Sequence, residues 1–133
     1  MNIIQKKRQE VEDTNNTAQS NLERILESLN SSTSEIRIDI PLHGSLDLSI
    51  LKDRDYKKVK HIVFEKEGEI TQIRNIPEGI THLECQHQLL TELDLPTTLE
   101  ILHVSHNAIL KFDAKHLSKL TVLHISNNSL ESL

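Results

Sequence analysis

The chain has 133 residues, 36% hydrophobic and 26% charged, which suits one domain or a small domain with an arm. Twenty leucines and fifteen isoleucines stand against three aromatic residues (Tyr56, Phe64 and Phe112), so any core must be packed with branched aliphatics. No apolar run approaches the roughly 20 residues that span a bilayer, and a net charge of −5 has the wrong sign for nucleic-acid phosphates or an anionic membrane surface.

Residues 1–30 carry a heptad. Ile4, Val11, Ala18 and Ile25 recur every seven positions, and Leu22 and Leu29 form a companion series whose earlier positions are Arg8 and Asn15. This spacing predicts a helical arm that pairs with another helix, with Ile4, Val11, Asn15, Leu22, Ile25 and Leu29 on the seam. An asparagine at seam position 15 would fix register and partner number at some cost in stability. A homo-oligomer through this arm is one expectation, and a helix folded back on its own domain is the other. The run Asn15-Asn16-Thr17 is a poor helix former and splits the segment, after which Ser20-x-x-Glu23 is a capping pattern for a second helix. Polar residues follow Ile3 and Ile4 at once, unlike a secretory signal.

Residues 31–58 alternate in two short runs: Ile36, Ile38 and Ile40, then Leu46, Leu48 and Ile50, around a turn-like stretch at Pro41, His43 and Gly44. The pattern predicts a β-hairpin that caps whatever follows. Lys52 to Lys58 is charged and is expected to be a solvated connection.

From Val59 to Leu133 the chain repeats itself. Ile80-x-x-Leu83-x-Cys85-x-x-Gln88-x-Leu90 is followed by Leu99-x-x-Leu102-x-Val104-x-x-Asn107-x-Ile109 and by Leu120-x-x-Leu123-x-Ile125-x-x-Asn128-x-Leu130. The starts lie 19 and 21 residues apart, and a weaker copy begins at Val59 with Ile62 and Phe64 in the matching slots and an extra residue near Glu67 and Gly68. The links repeat as well, with Ile76-Pro77 and Leu95-Pro96 at the same step. Period-2 alternation at Leu83-x-Cys85, Leu102-x-Val104 and Leu123-x-Ile125 marks short strands buried on one face. A single strand of this kind cannot bury its apolar side, whereas stacked copies share a continuous core. Asn107 and Asn128 sit where the chain leaves the strand, and a buried amide there can bond the backbone of the next turn. Gln88 and Glu67 or Gly68 depart from that asparagine.

This pattern resembles the leucine-rich repeat family, in its short form of about 20 to 22 residues with an Ile-Pro or Leu-Pro step. The resemblance implies an α/β solenoid of about four repeats over residues 59–133, the last incomplete, with a parallel sheet on its concave face. It also implies a non-catalytic role in binding another protein. The chain stops at Leu133 without a polar capping segment, so a longer solenoid or a partner is expected to cover that end. Two alternatives belong to other classes. One is a structural subunit of a large assembly such as a virion. The other is the recognition part of a longer bacterial ubiquitin-ligase-type effector, whose layout the helix-then-repeat order resembles.

The register places outward residues in rows across neighbouring strands, about 4.8 Å apart. One row holds Val63, Glu84, His103 and His124; a second holds Lys66, His87, His106 and Asn127; a third holds His61, His82, Ile101 and Val122. From these rows and their neighbours the expected partner-binding residues are Glu65, His82, Glu84, Gln86, His87, His103, Ser105, His106, His124 and Ser126. Glu84, His103 and His124 raise metal binding or proton sensing, but a flat row converges poorly on a metal, and neither a metal nor another cofactor is expected. Three glycines leave no phosphate loop, and neither a nucleophile elbow nor a His-Glu-x-x-His motif occurs. Cys85, the single cysteine, falls in an inward slot as a small hydrophobe and suits a reducing, intracellular compartment, in cytoplasm or inside an assembly.

Overall fold

The computed structural model describes residues 3, 4 and 17–131. In chain order its elements are α1 (Ala18–Glu27), β1 (Glu35–Ile38), β2 (His43–Asp47), α2 (Ile50–Asp53), β3 (His61–Phe64), β4 (Glu69–Arg74), β5 (His82–Glu84), β6 (Ile101–His103) and β7 (Val122–His124). The chain winds as a β-solenoid of about four turns with few helices. Five strands form one parallel sheet in the order β1-β3-β5-β6-β7, and β2 and β4 pair parallel in a second. No helix among the described residues is long and apolar enough to cross a membrane.

The aliphatic period becomes a stack. Ile36, Ile62, Leu83, Leu102 and Leu123 occupy one register position on successive strands. The first four are at most 2% exposed, and Cys85, Val104, Leu90 and Ile109 line the same interior at 0%. Leu123, on the last strand, is 38% exposed because no further coil of the described chain lies over it.

Gln88, Asn107 and Asn128 make the same rung on successive coils. Asn107 Oδ1 accepts the Leu90 N–H at 3.0 Å, while its Nδ2 donates to Cys85 O at 2.9 Å and Val104 O at 3.1 Å. Asn128 does the same for Ile109 N–H and Val104 O, and Gln88 for Ile70 N–H and Lys66 O. Each amide therefore satisfies backbone groups of the preceding coil that would otherwise be buried without partners. Gln88 performs the role that the sequence motif reserved for asparagine. At the opposite corner Thr98 Oγ1 accepts the Gly79 N–H at 2.9 Å and donates to Ile80 O at 2.8 Å, a second bond between coils.

Two expectations are corrected. The hairpin over residues 36–50 does not form: β1 and β2 lie in different sheets and pair with β3 and β4, so this segment is the first coil of the solenoid rather than a cap in front of it. The repeat thus begins at Glu35, not Val59. Its first coil escaped the period because His61 follows its partner Glu35 by 26 positions, against 21, 19 and 21 for the later pairs. The added length holds α2, which buries Leu51; Lys52–Lys58 is exposed apart from Tyr56, which packs against the core.

The helical segment is also used differently. Ala18, Leu22 and Leu26 are buried, and Ile25 and Leu29 pack against the same core, so three predicted seam positions serve this chain's own interior. Gln19 pairs with the outer edge of β2: its Nε2 donates to Asp47 O at 3.1 Å and its Oε1 accepts the Asp47 N–H at 2.7 Å. Thr17 N–H donates to His43 O at 2.9 Å along the same edge. An amide and a backbone group thereby occupy bonding groups that an open edge would present. The helix begins after Thr17, so Ser20 and Glu23 do not cap it. Ile4 is exposed, and Val11 and Asn15 lie outside the described residues.

Candidate functional site

Strand geometry leaves one face of the five-stranded sheet outside the core. Residues flanking the buried column point to it and fall into two rows: Glu35, His61, His82, Ile101 and Val122, and Arg37, Val63, Glu84, His103 and His124. Two of the three predicted rows are therefore correct in register and extend one strand further, to β1. Val63 is only 5% exposed and presents little surface.

Charge is partitioned along this face. At the β1 corner Arg37 sits between Glu65, at 3.1 Å, and Glu35, at 3.0 Å. The hydrogen bond to Glu65 and the charge of Glu35 hold the guanidinium proton more firmly than usual. In the middle, Glu84 bridges two histidines: Oε2 lies 3.0 Å from His82 Nε2 and Oε1 lies 3.2 Å from His103 Nδ1. All three side chains are about one quarter exposed or less, so the bridge is shielded but not dry.

The imidazoles run as a file across four strands. Ring centroids are 5.2 Å apart for His61 and His82, 6.0 Å for His82 and His103, and 4.3 Å for His103 and His124, the last pair stacked at 18°. At the rim His87 and His106 stack at 4.3 Å and 6°, and Asn127 Nδ2 lies 3.2 Å from His106 Nε2. These rim residues share a backbone feature that the sequence reasoning missed. His87, His106 and Asn127 have φ of 55°, 59° and 54°, the left-handed corner at which each coil leaves its strand. Histidine and asparagine are enriched in that conformation. Their recurrence at one repeat position was the available signal for a tight corner, so this row has a structural duty beside any contact it makes.

Other predicted residues divide. Gln86 is half-buried and Glu65 and Ser126 are exposed. Ser105 is 6% exposed and bonds Ser126 Oγ at 3.1 Å, so it supports the face rather than presenting itself. Cys85 is fully buried and its thiol is pushed far up by burial, which removes it from nucleophilic chemistry. Among the described residues no group of three His, Cys, Asp or Glu is placed to hold a metal ion. On the far flank a groove of about 830 Å³ runs past Arg74, Asp94, Lys111, Phe112 and His116, with both charge signs along it.

No protein-family model matches the chain, and no curated protein matches it to a significant degree.

Proposed function

We propose that the chain is a leucine-rich-repeat-like interaction module that binds a protein partner on the outer face of its five-stranded sheet and carries out no catalysis. One observation carries this reading: side chains from five successive strands stand in register on a rigid parallel sheet, so a partner meets a fixed grid and little side-chain freedom is lost on contact. The 19- and 21-residue spacings, the amide rungs and the Ile-Pro and Leu-Pro steps support the family resemblance. On this reading the contact residues are Glu65, His82, Glu84, Gln86, His103 and His124, with His87, His106 and Ser126 at the rim. No tryptophan or tyrosine stands among them, which fits a modest interface or a partner that supplies the aromatic anchors. The single buried cysteine suits an intracellular setting.

A second reading, a subunit of a larger assembly, draws on the half-exposed last coil around Leu123. Photo-crosslinking in the source cells tests the binding face. A benzophenone side chain at position 86 or 124 is expected to give a discrete adduct that a Glu84→Lys change abolishes, while positions 92 and 115 on the far flank give none. Adducts from the far flank alone would defeat the face as the binding surface.

A further inference from the structure

Resting on the face just proposed, we infer that its C-terminal half, centred on His103 and His124, is a proton-gated site for an acidic, carboxylate-rich peptide segment. Six of the eight histidines lie on this face or its rim; His43 pairs with Glu69, and His116 donates to Leu95 O on the far flank. Histidine is the side chain whose ordinary titration falls between pH 5 and 8. With neutral histidines the chain carries −5, and protonating all eight takes it to +3, so the sign of the molecule itself reverses across that range.

The fixed charges decide where the new charge acts. On β1, Arg37 stands between Glu35 and Glu65, which leaves that corner net negative. Next come His61 on β3, with Lys60 before it and Lys66 beyond, and His82 and Glu84 on β5. Glu84 is already shared between His82 and His103. The rim pair His87 and His106 borders a hollow that also holds His43, Glu67 and Glu69, so carboxylates of this chain already stand near it. His124 on β7 is exposed and has no ion-pair partner among the described residues.

His103 and His124 stack at 4.3 Å, so positive charge on both rings would place two like charges side by side, which repel. A carboxylate laid over both rings offsets that repulsion. Binding an anion and taking up protons are therefore one linked process, and affinity rises as pH falls through the histidine range. The rings are stacked on each other, which leaves no gap for a base to enter between them, and the face carries no Phe, Tyr or Trp as a stacking platform. A peptide carboxylate is favoured over a nucleic acid for that reason.

The test uses the full chain and a fluorescein-labelled deca-aspartate, read by anisotropy at pH 7.5 and pH 5.5 at constant ionic strength, with circular dichroism confirming the fold at both. The expected result is a dissociation constant roughly tenfold or more tighter at pH 5.5, weakened by added salt. Calorimetry in two buffers of different ionisation heat should show net proton uptake on binding. A His103→Asn/His124→Asn variant should lose the acid enhancement, whereas Lys115→Gln/His116→Asn, which removes equivalent charge on the far flank, should keep it. If the double variant fails to fold, His124→Gln alone should reduce the enhancement. Equal affinity at both pH values, equal loss in both double variants, or tighter binding at pH 5.5 of a ten-phosphate oligonucleotide would overturn the inference. Crosslinks that map to the face together with pH-independent probe binding would overturn it and leave the binding face standing. Crosslinks confined to the far flank would remove both.

Discussion

Gly68 and Gln88 are fitted to each other across two coils. A Cβ on residue 68 would stand 3.0 Å from Gln88 Oε1, 2.8 Å from Leu42 O and 3.1 Å from Leu42 N. Gln88 reaches over this gap to accept the Ile70 N–H at 3.1 Å, and Leu42 O is held by the Glu69 N–H at 2.8 Å. Two of the three obstructing atoms are backbone, so relief requires moving a coil rather than turning a side chain. Gly68→Ala should therefore lose about 1–3 kcal/mol in urea unfolding, the usual cost of overpacking. Gly79→Ala is the comparison: φ is +106° but nothing lies within 4 Å of its Cβ site, so only backbone strain of about 1–2 kcal/mol is added.

Asn107 is 8% exposed and ties the preceding coil to its own. Replacing it with alanine strands the Leu90 N–H and the Cys85 carbonyl inside the stack. Each orphaned group costs about 1–3 kcal/mol, so Asn107→Ala should destabilise more than Asn128→Ala, whose rung lies on the half-exposed last coil. Denaturant midpoints of the two variants give the comparison directly. Equal losses would mean that the amide rungs are satisfied by water.

Much of the architecture was legible because the core is aliphatic and periodic. Leu83, Leu102 and their partners recur with the coil, and the rows of Glu84, His103 and His124 followed from that register. The first coil was not legible. Ile36 and Ile38 alternate as any strand does, and neither their spacing to Ile62 nor a Pro41-His43-Gly44 turn distinguishes a hairpin from a sheet-to-sheet corner. A heptad likewise records only that one helix face is apolar. In α1 that face meets the solenoid's own end, where Leu22 and Leu26 are buried. The bridge from Glu84 to two histidines needed coordinates, since register places residues in a row but does not set the direction of a carboxylate.

Acid should weaken the fold through carboxylates that hold inter-coil bonds. Asp47 lies below the ordinary carboxylate range, held first by the Asn75 amide and then by the Ser49 backbone N–H. Glu78 is lowered by the backbone N–H of Thr97 and then by its hydroxyl, at 3.0 and 2.8 Å. A folded value below the unfolded one means that the unfolded chain binds more protons as pH falls. The contribution is therefore complete above the ordinary carboxylate value near pH 4 and lost as pH falls through the folded values. Urea midpoints should fall between pH 6 and pH 3. The fall should be smaller in Thr97→Val and in Asn75→Gly, the latter preserving the positive φ of 57° at that position.

Leu102 and Leu123 share one register position but differ in surroundings, at 0% and 38% exposure. In a stack whose coils touch only their neighbours, stability is a sum of local and nearest-neighbour parts, and an end coil has one neighbour instead of two. Leu102→Ala opens a cavity between two coils and should cost about 2–5 kcal/mol. Leu123→Ala removes a side chain that is over one-third hydrated, so its cost should be roughly half of that or less. Amide exchange should show the same gradient, with β7 opening at lower free energy than β5 and β6. Protection of β7 equal to that of β5, in a chain shown to be monomeric by light scattering, would mean that the last coil is not an open end in solution.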